Sequence, residues 1–243
     1  DLILVTTPDD QIAQVAAHLA AVSVTRSTQP PHGRPRVVLH TSGALSSDTL
    51  APLGEHGYSL GSLHPLVSIS DLAGGARNLR GAFYCLEGEA RALTAARKIV
   101  RALDGRSFSV AARDKALYHA AAVITSGHTV ALFSLASDLL ALCGLTDACA
   151  RRVLLPLLAS TLDNLRAHAP DEALTGTFAR ADLSTVRKHL AALREAGHGA
   201  TAVYALLGER SLQVAARRNE FDSSVVAQIA RLLRQALSAS RDD

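Results

Sequence analysis

The most constraining feature of this 243-residue sequence is a change of pattern near residue 112. Before it, short apolar runs typical of strands alternate with helix-like segments; after it, apolar residues recur at helical spacing. Alternating strands and helices predict a parallel or mixed α/β sheet with right-handed crossovers. We therefore predict two domains, an α/β domain over 1–112 and an all-α domain over 113–243. The predicted strands are 2–6, 36–40, 58–63, 81–86 and 107–111.

The second half is expected to contain several amphipathic or wholly apolar helices. Helices that are apolar on broad faces must be buried somewhere, so we expect this half to form a two-fold homodimer. Pro156 is expected to kink or break the second helix. The predicted helices are 114–143, 147–168, 182–196, 199–217 and 222–239.

One stretch, 117–142, is apolar enough to resemble a membrane span. It nevertheless contains His119, His128 and Asp138, and ionisable groups inside a bilayer are expensive. We therefore interpret it as the buried central helix of a soluble protein and expect no membrane partner.

Composition excludes several classes of protein. Hydrophobic residues make up 48% of the chain and charged residues 19%, which is ordinary globular composition. The three cysteines are irregularly spaced, which indicates neither a disulfide framework nor a zinc site. Only three of the 25 basic residues are lysine, and neither a basic run nor an aromatic platform suggests nucleic acid.

The beginning of the sequence also carries information. There is no Met, and the chain opens directly on an apolar run at Leu2, so we expect residues of the natural protein to precede it. The opening lacks the basic and long apolar regions of a secretory signal, and we expect a cytoplasmic protein.

Candidate ligand-binding residues follow three predicted strands. Ligands of open α/β sheets bind outside the carboxyl ends of the strands, where Gly43 would let the backbone approach closely and His40 and His64 would supply groups that titrate near neutral pH. The alternative is that these are ordinary loop residues with packed, hydrogen-bonded histidines. A metal pair is a weaker alternative, since no third ligand is in register. The three segments are Thr6-Thr7-Pro8-Asp9, His40-Thr41-Ser42-Gly43-Ala44 and Ser62-Leu63-His64-Pro65.

A second candidate site lies at the start of the helical half. Lys115 and His119 are four residues apart and share one helix face, which Ala122 and Ser126 continue with small side chains. A lysine can exchange a proton and can have its pKa lowered by burial, which suits acid–base chemistry. The alternative is a solvated lysine beside a satisfied core histidine. The sequence contains neither a G-x-G-x-x-G turn after its first strand nor a G-x-S-x-G elbow.

Three runs together resemble a known family. They are His40-Thr41-Ser42-Gly43-Ala44-Leu45, Gly61-Ser62-Leu63-His64-Pro65-Leu66 and Lys115-Ala116-Leu117-Tyr118-His119-Ala120-Ala121-Ala122. In this order they resemble the Rossmann-like proteins with the domain named DUF2520, which are related to the 6-phosphogluconate and β-hydroxyacid dehydrogenases, ketopantoate reductase and pyrroline-carboxylate reductase. The resemblance implies an N-terminal NAD(P)-binding Rossmann domain and a helical domain that pairs into a dimer.

The resemblance also implies roles for particular residues. In the related dehydrogenases a lysine and, four residues on, an asparagine meet the substrate. Here Lys115 would exchange the proton of the substrate oxygen and His119, in place of the asparagine, would orient or polarise that oxygen. His64 completes the expected catalytic set. The residues expected to flank the nicotinamide side of NAD or NADP are Thr6, Thr7, Pro8, His40, Ser42 and Gly43.

The chain departs from the family pattern at several positions. Gly127 stands where members often have Asn, and Thr177 and Ala181 interrupt a Gly-Pro-x-x-Arg-Gly-Asp run. The strand at Leu2 corresponds to a middle strand of the Rossmann domain. Since the pyrophosphate normally sits on the first helix of the fold, we expect the chain as given to hold NAD(P) weakly.

We therefore expect the C-terminal majority of an NAD(P)-dependent oxidoreductase that transfers hydride to or from a small carbonyl, alcohol or imine substrate. A non-catalytic protein that senses a dinucleotide or binds a partner is the alternative. A purely structural helical dimerisation module is a third reading.

Overall fold

A computed structural model describes residues 1–25, 36–197, 199–218 and 222–239 of the chain. These residues form two compact units, Asp1–Thr129 and Val130–Asp243. The domain boundary expected near residue 112 stays a prediction.

The first unit is built on a five-stranded sheet in which the strands lie in chain order, β1 (Leu2–Val5), β2 (Arg36–His40), β3 (Tyr58–Pro65), β4 (Phe83–Gly88) and β5 (Arg106–Ser109). β1 pairs with β2, β2 with β3 and β4 with β5 in parallel, whereas β3 and β4 are antiparallel. The expected fold class, a Rossmann-like sheet followed by helices, is confirmed.

Alternate strand residues point to opposite sides of this sheet, and each side packs against helices, α1 (Asp9–Thr25) and α2 (Ala51–Gly54) on one and α4 (Ala90–Ala102) on the other. On one face Val38 and Leu60 pack with Ile12 of α1 and Leu53 of α2. On the other face Leu39, Leu63 and Leu86 pack with Ala92, Ala96 and Val100 of α4. The helices of this part are α1 (Asp9–Thr25), α2 (Ala51–Gly54), α3 (Leu72–Asn78) and α4 (Ala90–Ala102).

The region from residue 112 onward is helical, as expected, but the predicted helix over 114–143 is two helices. α5 (Lys115–Thr125) and α6 (Gly127–Leu142) are separated at Ser126. The stretch Ala112–Leu142 is long and apolar enough to cross a membrane by length and composition. None of its most apolar window is buried within the described chain, so the expectation of a buried central helix is wrong for a single copy.

The remaining helices follow the predicted pattern closely. Thr146 caps α7 (Asp147–Ala167), a helix that continues through Pro156 instead of ending there. In the second unit, Val186, Leu190, Leu212, Ile229 and Leu233 pack together as the core. The helices that complete the chain are α8 (Pro170–Ala173), α9 (Gly176–Ala179), α10 (Leu183–Ala196), α11 (Ala200–Ala215) and α12 (Ser223–Ala239).

Candidate active site

The carboxyl ends of β1, β2 and β3 meet at one edge of the sheet, because these three strands are parallel neighbours. Gly43 follows β2 at this edge and is packed tightly against the end of β3. A Cβ at Gly43 would lie 2.8 Å from Nε2 of His64 and closer still to the ring of His119. A side chain at this position would collide with both imidazole rings, so the site requires glycine. Gly43, His64 and His119, which are distant in the sequence, are therefore close together in the fold.

A cavity of about 710 Å³ opens beside these residues within the first unit. Its wall is formed by the end of β3, the loop that follows it, β5 and one face of α5. The lining residues are His64, Leu66, Val67, Ser68, Phe108, Tyr118, His119, Ala121, Ala122, Val123, Thr125, Ser126 and Gly127.

His64 and Tyr118 form a hydrogen-bonded pair at the cavity wall. Nδ1 of His64 lies 2.7 Å from the Tyr118 hydroxyl oxygen. Burial, the positive charge of Lys115 and the neighbouring His119 together lower the pKa of His64 to about 4, so its imidazole is neutral at pH 7. Burial and a hydrogen bond with the Cys85 thiol raise the pKa of Tyr118. Both partners are therefore uncharged near neutral pH.

The sheet register explains how this pair forms. His64 on β3, Cys85 on β4 and Phe108 on β5 are successive cross-strand partners and share one face of the sheet. Tyr118 lies against that row, with its ring 5.6 Å from the ring of His64 and 5.7 Å from that of Phe108. The His119 ring stands edge-on to His64 at 5.6 Å.

Lys115 occupies the same helix face but a different environment. It is 1% exposed, and its ammonium donates hydrogen bonds to the Ser42 carbonyl oxygen at 2.9 Å and to Oγ of Ser62 at 3.0 Å. Burial lowers its pKa, while Cys85, Glu87 and Asp9 act in the opposite direction. Lys115 is thus held beneath the strand ends and is not among the residues that line the cavity.

Glu87 is the buried acidic member of this polar network. Its carboxylate accepts hydrogen bonds from the backbone N–H and the hydroxyl of Ser47, both at 2.8 Å, and from Ser62 at 3.5 Å. Ser62 therefore bridges Glu87 and Lys115. Such pairing is what allows two charged groups to stay buried.

His40 and Ser42 have their hydrogen bonds within the protein. Nδ1 of His40 accepts from the Ser42 N–H, so Nε2 carries the proton and donates to the Ser46 carbonyl oxygen. Burial is the main cause that lowers the pKa of His40. The Ser42 hydroxyl donates to Asp9 and accepts from the N–H of Leu45. These two residues shape the loop that carries Gly43.

The residues after β1 are differently placed. Thr6 and Pro8 are exposed, and the buried Oγ1 of Thr7 has no hydrogen-bond partner among the described residues. A buried hydroxyl without a partner is costly in a folded protein. In the part of the chain that the structure describes, no group of three or more His, Cys, Asp or Glu is placed to hold a metal ion.

Sequence reasoning missed Tyr118 and Glu87. Tyr118 lies three residues after Lys115, on the face already chosen for His119, so helix periodicity could have included it. Glu87 is an acidic residue inside an apolar strand, which signals a buried partner.

Comparisons with known proteins agree with this architecture. The family model described as "Domain of unknown function (DUF2520)" matches residues 82–211. The crystal structure of protein TM1727 from Thermotoga maritima is 26% identical with a TM-score of 0.62, and the match covers 98% of this chain and 78% of that one. No curated protein matches the chain.

Two further structures share the fold. A "putative NADP oxidoreductase", BF3122 from Bacteroides fragilis, is 20% identical with a TM-score of 0.65, covering 87% of this chain and 75% of its own. A reductive aminase from Aspergillus terreus, solved with NADPH and ethyl levulinate, is 17% identical with a TM-score of 0.54, covering 94% and 78%.

Proposed function

Because the chain belongs to the DUF2520 family, whose model matches more than half of it, we propose that it is an NAD(P)-dependent oxidoreductase. The reaction is hydride transfer to or from a small carbonyl, alcohol or imine substrate. The fold it shares with the Bacteroides and Aspergillus proteins supports this proposal. The observation that carries it is the His64–Tyr118 pair, which faces a cavity at the carboxyl ends of parallel strands.

The residues at this edge fit the nicotinamide end of NAD or NADP. The Thr7 hydroxyl is a buried polar group that still needs a partner, and Thr6 and Pro8 stand exposed beside it. When bound, the cofactor supplies the hydride. Thr7 would hold its carboxamide end, while His40 and Ser42 act indirectly by fixing the loop around Gly43.

We assign to Tyr118 the role of donating a proton to the substrate during reduction and of accepting it in the reverse reaction. A neutral imidazole has one donor and one acceptor nitrogen, and either can face the phenol. When Nδ1 of His64 donates, the Tyr118 hydroxyl can turn its proton from the Cys85 sulfur to a carbonyl oxygen or an imine nitrogen. When Nδ1 accepts, the phenol oxygen can accept from an alcohol. The pair thus serves both directions of a reversible reduction.

Lys115 and His119 support this pair in different ways. The Lys115 ammonium lies 6.0 Å from the Tyr118 ring centroid and, together with the larger effect of burial, lowers the pKa of His64, which makes Lys115 a positioning residue. His119 lines the cavity and packs against His64, where it orients the substrate.

The test is a titration of the full-length protein with NADPH and NADH, followed by nicotinamide fluorescence. We expect saturable binding of at least one of them, with altered emission. Failure of both to bind at millimolar concentration would defeat the proposal. Binding of a dinucleotide without turnover of any carbonyl or imine would instead favour a dinucleotide sensor.

We also propose that the helical half pairs two copies of the chain. On α6 and α7 the side chains of Val130, Leu142 and Leu157 are 70%, 62% and 62% exposed, respectively. Apolar patches of this extent mark an interface, and a symmetric second copy covers them with the same surface. In the proposed dimer the second copy, and not a lipid bilayer, covers the apolar side chains of α6, as we propose for a cytoplasmic protein.

Sedimentation of the full-length protein without detergent tests the dimer. We expect a dimer at micromolar concentration. A monomer under these conditions, or a requirement for detergent, would contradict it.

A further inference from the structure

The described wall of the cavity beside His64 has no carboxylate, ammonium or guanidinium group. Among its thirteen described lining residues there is no Asp, Glu, Lys or Arg. Its apolar part includes Leu66, Val67, Phe108, Ala122 and Val123. The polar remainder consists of hydroxyls, the glycine backbone and two imidazoles.

The buried cation near this cavity is the Lys115 ammonium, which is hydrogen-bonded to protein atoms. The Lys115 ammonium donates two of its three N–H groups to protein atoms, the Ser42 carbonyl oxygen and the Ser62 hydroxyl, and Lys115 is not among the lining residues. The His64 imidazole is neutral at pH 7, since its pKa is about 4. An anionic group that entered the cavity would give up part of its hydration and would find no Lys or Arg side chain in the lining to pair with, which disfavours its binding.

We propose that this cavity takes an uncharged, mostly apolar carbonyl or imine compound and discriminates against analogues that carry a carboxylate. The carbonyl or imine part rests on the proposed function, whereas the neutrality rests on the absence of Asp, Glu, Lys and Arg from the lining and on the hydrogen bonds that hold Lys115. The volume of about 710 Å³ is sufficient for a compound with an aromatic ring and a short chain. Its carbonyl oxygen would approach Tyr118 while the apolar part packs on Phe108 and Val123.

A matched pair of ketones tests the discrimination. Methyl 4-(3-oxobutyl)benzoate and 4-(3-oxobutyl)benzoic acid, which is a carboxylate at pH 7, share a skeleton and differ in charge and in the ester methyl group. Binding to the NADPH-saturated protein is measured by isothermal titration calorimetry, and reduction by loss of NADPH absorbance. We expect the ester to bind at least about tenfold more tightly than the acid, with the same preference in kcat/KM. Equal or tighter binding of the acid would overturn the inference.

Two arginine variants localise the effect. Val67→Arg places a cation on the cavity wall and is expected to reverse the preference toward the acid. Ile69→Arg, at a 50% exposed position outside the lining, is the control and should leave the ester preference unchanged. An unchanged preference in Val67→Arg, with the fold intact by circular dichroism, would place the ligand elsewhere and contradict the inference.

The outcomes separate this inference from the proposed function. Ester binding at the Val67 site of a protein that binds neither NADPH nor NADH would sink the oxidoreductase and leave the ligand class standing. Preferential reduction of the acid would support the oxidoreductase and overturn the proposed ligand class. If neither ketone binds and Val67→Arg instead dissociates a dimer, the cavity wall is a subunit contact and the inference is wrong.

Discussion

Replacing Tyr118 by phenylalanine is expected to lower turnover of a neutral ketone by about 10²–10⁴-fold, with little change in NADPH affinity. The hydroxyl oxygen of Tyr118 lies 2.7 Å from Nδ1 of His64 at the cavity wall. Phenylalanine keeps the aromatic ring but lacks this proton donor. The ring contacts with His64 and Phe108 remain, so the cavity keeps its shape. The measurement is kcat under NADPH saturation, with the cofactor dissociation constant determined separately.

The second unit offers a matched control for this substitution. Tyr204 makes the same kind of contact, its hydroxyl 2.8 Å from Nδ1 of His189, with the two rings 5.6 Å apart. Tyr204→Phe removes an equivalent hydrogen bond and should leave kcat nearly unchanged. If Tyr118→Phe retains more than about a tenth of the turnover, proton transfer does not depend on this phenol and the assignment fails.

Substituting Lys115 by methionine is expected to destabilise the first unit by about 3 kcal/mol. The change removes two hydrogen bonds from a buried ammonium, leaves the Ser42 carbonyl without that donor, and takes away the cation opposite Glu87. For a chain of this size that corresponds to a melting temperature lower by roughly 6–12 °C. Calorimetry of the full-length protein gives the value.

Two further variants test whether the loss of stability is specific to the buried Lys115. Lys98→Met, at an exposed position on α4, should change stability by less than about 0.5 kcal/mol. Adding Glu87→Gln to Lys115→Met should restore part of the loss, because it removes the carboxylate left without its cation. A Lys115→Met variant that melts like the parent but has lost turnover would show that Lys115 acts as the proton donor and not as a positioning residue.

The sheet was predictable because its signal is local. Continuous apolar runs at β1 and β2, followed by Thr7 and by Gly43, mark buried parallel strands that end in ligand-type loops. Parallel pairing then brings these ends to one edge without further information. The one reversal, antiparallel β4 against β3, was left open by the expectation of a parallel or mixed sheet.

The environment of each polar side chain was harder to predict. Lys115 and His119 do share a helix face, yet Lys115 points beneath the strand ends and His119 lines the cavity. That difference depends on Ser62 and Glu87, which reach Lys115 only through cross-strand pairing. Tyr118 gains its partner in the same non-local way, from the row that contains His64.

The apolar stretch after residue 112 shows a different limit. Its composition indicates that it needs a cover, but it carries no information on whether the cover comes from the same chain. The sequence therefore predicted a buried helix where the described chain has an exposed one.

The most direct test of the central claim is to follow the histidines while NADPH binds. With ¹³C-labelled histidine in the full-length protein, His64→Gln and His189→Gln variants assign the two resonances, which both come from histidines paired with a tyrosine. We predict that saturating NADPH shifts the His64 resonance and leaves that of His189 in place. Saturable NADPH binding with an unmoved His64 would contradict the assignment of the cavity as the place where hydride is transferred.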